Sequence, residues 1–168
     1  MNLTYKFTSK HANLDKLKDI YKLSYAYKRY YNILSKVSMS KFYMDGKIPK
    51  YLTPLEKFSE ENFSERYKQT CGKQLKGNLE SLLSNIKNKI TVAISSSNFD
   101  SETKILLHYI NKYHLWFNKS VSIKGQEVPQ ALLKFSRLLF KHYKGNAPRL
   151  RNTTMCLDNK VAVIEKLK

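Results

Sequence analysis

The segment from Lys73 to Ile94 places apolar residues at spacings of three and four, the period of a helix with one buried face. These residues are Leu75, Leu79, Leu82, Leu83, Ile86, Ile90 and Ala93. Helical character begins earlier, near Ser59, and Gly72 is a candidate break between the two parts. The centre of the 168-residue chain is therefore predicted to be helical.

A long helix is also predicted before this segment. Asn13 can cap its start by accepting from first-turn N–H groups, and Asp15 then complements the helix dipole. The helix is expected to run to about Val37. Residues 38–58 are more irregular, because Asp45–Gly46 and two prolines act as helix breakers.

A third helix is predicted after the serine-rich stretch at 95–98. Asp100 or Ser101 can cap it, and its apolar face extends through about Phe117. The sequence NKSVSIKGQEV at 118–128 is expected to be a loop.

The clearest amphipathic helix runs from Gln130 to Lys144, between Pro129 at a first-turn position and Gly145 just past its end. It contains no acidic residue, and its basic residues recur at spacings of three, four and three: Lys134, Arg137, Lys141 and Lys144. Arg149 and Arg151 follow in an extended segment. Such a stripe favours the backbone of a nucleic acid over any particular base sequence.

Both ends of the chain have the pattern of β-strands. Residues 2–8 alternate apolar and polar side chains, and two strand-like runs flank Asp158–Asn159, as in a β-hairpin. A lone strand and a lone hairpin are each marginal in water, so we expect them to pair with one another.

The predicted fold class is therefore mainly α with a small β part (α+β), with a helical bundle inserted between an N-terminal strand and a C-terminal β-hairpin. Residues 1–10 form the first strand of a β platform, and residues 11–146 form a helical lobe. Residues 147–168 form the returning hairpin, whose strand pattern continues to Lys168, as expected of a truncated sheet.

The strongest functional signal is charge. The chain has 31 Lys and Arg against 13 Asp and Glu, a net charge of +18. The surplus is concentrated at the ends: residues 1–50 carry 11 basic and 3 acidic residues, and residues 128–168 carry 9 and 2. A polyanionic partner would relieve the self-repulsion, which makes nucleic acid the leading hypothesis. An anionic membrane surface, or a basic protein with no such partner, are the alternatives.

The stretch YKLSYAYKRYYN at 21–32 interleaves five tyrosines with basic residues. At about 100° per residue, three of the tyrosines share a face with Ile20, Leu23 and Leu34 and are predicted to pack in the core: Tyr27, Tyr30 and Tyr31. Tyr21 lies between the two faces. Tyr25 lies on the opposite face, among basic residues that could hold phosphates while its ring stacks on a base or sugar: Lys18, Lys22, Arg29 and Lys36.

The sequence carries no recognisable constellation for catalysis. The acidic residues do not form a cluster suited to two Mg²⁺ ions, and the six-residue spacing of His108 and His114 does not suit a metal pair on one helix face. Cys71 and Cys156 have no metal or redox spacing and are expected to be reduced, partly buried thiols. We therefore expect no enzymatic activity and no cofactor, and, without a signal peptide or apolar span, a cytoplasmic protein with no membrane association.

The opening strand LTYKF, which leads directly into a helix rich in tyrosine and lysine, and the C-terminal stretch RLRNTTMCLDNKVAVIEK resemble the N-terminal part of TnpB/OrfB-type transposon nucleases and related type V CRISPR effectors. In that family a β-barrel wedge domain is interrupted by a helical recognition lobe. The resemblance implies that this chain binds a guide RNA and the RNA–DNA heteroduplex through backbone contacts.

The RuvC carboxylates and zinc-ribbon cysteines of that family lie in a C-terminal half that this sequence does not contain. The resemblance therefore implies a binding module whose partners are guide RNA, DNA, and the remaining nuclease half or another effector subunit. The alternative is a stand-alone basic helical protein that binds DNA or RNA, or that regulates a partner protein.

Overall fold

A computed structural model of the chain describes residues 13–46, 48, 52, 58, 63–123 and 125–151. These residues form four helices and one two-stranded antiparallel sheet: α1 (Leu14–Asp45), α2 (Glu65–Ser95), α3 (Ser101–Lys112), β1 (Ser122–Ile123), β2 (Gln126–Glu127) and α4 (Gln130–Tyr143). The predicted class, mainly α with a small β part, is confirmed. The N-terminal strand and the hairpin predicted around Asp158–Asn159 lie outside the described residues.

Helix α1 begins where the sequence predicted and ends later. The Asn13 side chain accepts hydrogen bonds from the backbone N–H groups of Asp15 and Lys16, at 2.9 and 3.4 Å. The predicted end near Val37 is wrong, because the following turns contain no breaker and bury Met39 and Phe42. The helix stops at Gly46, which adopts φ +66° and donates its N–H to the Phe42 carbonyl.

Helix α2 is continuous through Gly72, so the proposed division there is wrong. A glycine inside a helix lowers stability by about 1 kcal/mol relative to alanine, and burial of the apolar side chains on one face of the helix can offset this loss. That face includes Thr70, Cys71 and Leu75 on either side of the glycine.

The connection from α3 to α4 also differs from the prediction. Helix α3 ends at Lys112 and not near Phe117, because His114 adopts a left-handed conformation with φ +59°. Within the predicted loop, Ser122–Ile123 and Gln126–Glu127 pair as short antiparallel strands, and Val128 N–H donates a hydrogen bond to the Val121 carbonyl. Both valines are buried.

Tyrosine residues form the contact between α1 and α2. Tyr27, Tyr30 and Tyr31 are fully buried, as predicted. The Tyr27 hydroxyl donates to Gln74 Oε1 at 2.8 Å, and Asn78 Nδ2 donates to the Tyr31 hydroxyl at 2.6 Å. Both pairs are separated by 47 residues, so α1 and α2 run side by side in the same direction.

Cys71 lies in the same contact and is completely buried, more so than the sequence suggested. Burial raises the pKa of its thiol to about 12, although a hydrogen bond with Tyr27 acts in the opposite direction. This cysteine is therefore a packing residue. Cys156 lies outside the described residues.

A second aromatic cluster closes the other end of the bundle. Phe42 of α1, Trp116 and Phe117 all pack on Phe140 of α4, with ring centroids 4.8 to 5.5 Å apart. Gly46 sits directly against this cluster: a Cβ atom at that position would lie 2.9 Å from Phe117 Cδ2. The turn that ends α1 therefore requires glycine for both its backbone conformation and its space.

We expect Gly46→Ala to lower the free energy of unfolding by about 1–3 kcal/mol, since it combines left-handed strain with a steric clash. Gly77→Ala is the matched control, because Gly77 lies in the middle of α2 with no atom within 4 Å of its would-be Cβ. That change should raise stability by about 0.5–1 kcal/mol. Urea unfolding measures both, and equal stability of the two variants would contradict the role given to Gly46.

His114 is a half-buried ring stacked on Trp116, with centroids 5.1 Å apart. Burial, with a smaller effect from the positive charge of Lys87, holds the pKa of His114 below its usual value of 6.5. The unfolded chain therefore binds a proton to this residue more readily than the folded chain does.

The contribution of His114 to stability should be complete above pH 6.5 and be lost as the pH falls through the lowered pKa. His114→Asn keeps a residue that tolerates the left-handed conformation and removes the titration. We expect the loss of stability between pH 7.5 and pH 5.5, measured by urea unfolding, to be smaller in this variant than in the parent. The same pH dependence in both proteins would show that other groups cause it.

Candidate nucleic-acid interface

Helix α1 has the two faces that the sequence predicted. Its tyrosines at 27, 30 and 31 are buried against α2, whereas the Tyr25 side chain is 63% exposed. Ile20, which the helical wheel placed with the packed face, is 52% exposed, because the buried positions of α1 begin only at Ser24.

An open groove of about 320 Å³ lies along the exposed face of α1. The described residues that line it are Tyr25, Lys28, Arg29, Asn32, Ile33 and Lys36. They follow one another at spacings of three, one, three, one and three, so they belong to adjoining positions on one side of the helix. Half of them are basic and none is acidic.

Residues 144–151, which we call the strap, run along α1 in the opposite direction to the helix. Side chains of α1 hydrogen-bond to the strap's backbone at four places: Tyr43 to the Gly145 carbonyl (2.9 Å), Ser35 to the Pro148 carbonyl (2.6 Å), Asn32 to Leu150, and Lys28 Nζ to the Arg151 carbonyl (2.8 Å). The sequence predicted an extended segment here but gave no indication of this docking.

Asn32 makes the most specific of these contacts. Its Oδ1 accepts the Leu150 N–H at 3.0 Å, and its Nδ2 donates to the Leu150 carbonyl at 3.4 Å. One side chain thus satisfies both backbone groups of a residue 118 positions away. Because Asn32 also lines the groove, it fixes the strap at the groove's edge.

Docking of the strap brings two predicted sets of basic residues together. The side chains of Arg149 and Arg151 are exposed, while the strap's backbone is held against α1. The hydrogen bonds of the strap therefore place the backbone of residues 148–151 along the edge of α1 that contains Lys28, Asn32 and Ser35. The sequence predicts Arg149 and Arg151 in an extended segment and gives no reason to join that segment to α1.

Lys144 lies at the start of the strap, above the ring of Tyr43. Its Nζ is 4.2 Å from the ring centroid, the geometry of a cation–π contact. Burial raises the pKa of the Tyr43 hydroxyl, which donates to the Gly145 carbonyl. Lys144 therefore belongs to the strap and not to the basic stripe of α4.

The other basic residues of α4 have different environments. Lys134 and Lys141 are exposed, and Leu138 between them is 62% exposed. Arg137 is half-buried: its Nε donates to the Trp116 carbonyl at 3.1 Å and an Nη to the Asn118 carbonyl at 3.4 Å. It thus ties the turn after α3 to α4, a role that the sequence did not predict.

Lys18 and Lys22 precede the groove and each pairs with an acid on the preceding turn. Lys18 Nζ lies 3.5 Å from Asp15 Oδ1, and Lys22 Nζ lies 4.0 Å from Asp19 Oδ1. All four side chains are highly exposed, so each pair contributes at most about 1 kcal/mol. A polyanion could compete for these lysines, but the local positive charge is lower here than in the groove.

Lys28 and Asn32 were missed as interface residues. Both occupy the face defined by Tyr25, at three and seven positions beyond it, so helical spacing could have found them. Their bonds to the strap left no signal in the sequence, because the contacts span 118 to 123 residues.

Comparison of the chain with protein-family models, with curated proteins and with solved structures finds no match. Within the part of the chain that the structure describes, no helix combines the length and apolar character needed to cross a bilayer.

We expect Arg137→Ala to lower the free energy of unfolding by about 1–2 kcal/mol, because two carbonyls lose a charged donor. Lys134→Ala, on the same helix and fully exposed, should change stability by less than about 0.5 kcal/mol. Chemical unfolding of both variants tests this. If the two variants proved equally stable, the hydrogen bonds of Arg137 would make no measurable contribution to the free energy of unfolding.

Proposed function

We propose that this chain is a nucleic-acid-binding module whose contact surface is the α1 groove together with the strap. The observation that supports the proposal is that the strap, which contains Lys144, Arg149 and Arg151, is hydrogen-bonded along the edge of the α1 face that carries the basic residues of the groove. A solvated protein surface usually mixes charges of both signs. Among the described residues, the groove and the strap carry charge of one sign beside an exposed aromatic ring, which matches the needs of a phosphate backbone with accessible bases.

The strap suits phosphate binding for a second reason. Its backbone is anchored by α1 side chains, so Arg149 and Arg151 extend from a fixed support. A guanidinium donates two parallel hydrogen bonds to a phosphate, and less entropy is lost when its base is already ordered. Release of counterions from the polyanion would supply further driving force in proportion to the phosphates neutralised.

We further propose that the natural ligands are a guide RNA and its heteroduplex with DNA, as in the recognition lobe of TnpB-type nucleases. This step rests on the sequence resemblance. It is compatible with a surface that offers charge and stacking, because in such systems base pairing, not the protein, reads the sequence. Under this proposal the chain binds and positions nucleic acid, and catalysis belongs to another segment or subunit.

The proposal predicts that replacing Lys36, Arg149 and Arg151 together by alanine weakens binding to RNA and DNA of any sequence. Each lost phosphate contact should reduce the slope of log K against log salt by about 1, so the triple variant should lose about 2–3. Fluorescence anisotropy with labelled oligonucleotides over a series of salt concentrations measures both the affinity and the slope.

The control is a triple variant with the same change in charge at Lys73, Lys89 and Lys119, all of which are exposed and outside the groove and strap. This control variant should lower the affinity less than the first triple variant does, and it should retain most of the slope of log K against log salt. Equal losses in the two variants would mean that only net charge matters and that this surface is not the contact site.

A further inference from the structure

Tyr25 is the one exposed aromatic ring among the described residues that line the groove. The neighbouring tyrosines at 27, 30 and 31 are fully buried, whereas Tyr25 is 63% exposed. Ile33 adds a partly exposed apolar surface, 38% accessible, two turns further along the same face. The groove thus combines an aromatic face and an aliphatic patch with positive charge.

A fully paired duplex does not use such a lining. Its base faces are stacked inside the helix, and it presents mainly phosphates and groove edges to a protein. A single strand presents base faces and phosphates together, and exposed aromatic rings in positive grooves bind those faces. At about 320 Å³ the open groove is close to the lower limit of small-ligand pockets, about 300–1,000 Å³.

We infer that the groove holds an unpaired nucleotide of the bound nucleic acid, with its base stacked on Tyr25 and its phosphate between the groove lysines and the strap. This inference rests on the proposed function and specifies that the groove takes a single-stranded part of the bound nucleic acid. Lys28 can contact a phosphate while keeping its bond to the Arg151 carbonyl, because an ammonium group carries three N–H donors.

The groove is suited to any base. Asn32, the lining side chain with the amide that could pair with an adenine edge, already uses its carbonyl and its amide nitrogen on the backbone of Leu150. Stacking accepts every base, because each has a π-face. The groove therefore binds unpaired nucleotides without strong sequence preference.

The test compares Tyr25→Ala with Tyr21→Ala in the full chain. Tyr21 is a matched control: it lies one turn earlier on α1, is 64% exposed and is not among the lining residues. The probes are labelled oligo-U and oligo-dT of about twelve nucleotides, each also made with abasic residues, and a blunt duplex of the same length. Fluorescence anisotropy gives the affinities.

We expect Tyr25→Ala to weaken binding to the oligonucleotides about fivefold or more, with little effect on the abasic strands or the duplex. Tyr25→Phe, which keeps the ring, should retain binding, and Tyr21→Ala should match the parent. An equal loss on base-containing and abasic strands, or no loss at all, would overturn the inference and leave the proposed function standing. Failure of the parent chain to bind any of these probes would overturn both.

Discussion

The rotation of α1 about its own axis is the constraint on which the rest of this structure depends. Three fully buried tyrosines face α2, and two of their hydroxyls have hydrogen-bond partners there, Gln74 and Asn78. A buried hydroxyl without a partner costs about 1–3 kcal/mol, so turning the helix would lose both packing and hydrogen bonds. The same residues that form the core therefore determine that Tyr25, Lys28 and Lys36 face outward.

The strap depends on that orientation in turn. It has no regular secondary structure between residues 144 and 151, so its backbone groups need other partners. Side chains along one edge of α1 supply them, from Tyr43 through Ser35 to Asn32. The strap thus lies along one edge of the exposed face of α1. This face and the strap together form a basic surface built from two segments of the chain.

Features that depend on neighbouring residues were predictable from the sequence. The Asn13 cap, the glycine after α4 and the division of the tyrosines between two faces all follow from spacings of a few residues. The irregular composition of residues 38–58 predicts too early an end for α1, because the apolar residues Met39 and Phe42 continue its buried face. At Gly72 the sequence predicted a break that does not occur. Glycine has a low helix propensity, but it is tolerated where tertiary packing holds the helix.

The short hairpin and the strap were missed for physical reasons. The hairpin has only two residues in each strand, and the sequence between the strands, Lys-Gly, lacks the strong turn preference of Asn-Gly. The strap is held by side chains that bond to backbone groups, and backbone groups are the same in every sequence. Contacts of this kind leave no pattern for a single sequence to show, and here they assemble the candidate interface.

The way in which the strap is attached also explains how a surface of one charge sign can persist. The strap that carries Arg149 and Arg151 is bonded to α1 next to Lys28, and like charges repel more strongly as their separation falls. On the strap, the groups bonded to α1 are neutral backbone groups, chiefly carbonyls, and the Arg151 carbonyl accepts directly from the Lys28 ammonium. Such dipoles offset part of the repulsion and leave the net positive charge intact. An acidic partner would have stabilised the strap at the expense of the positive charge of this surface, whereas backbone dipoles hold the strap in place and leave that charge unchanged.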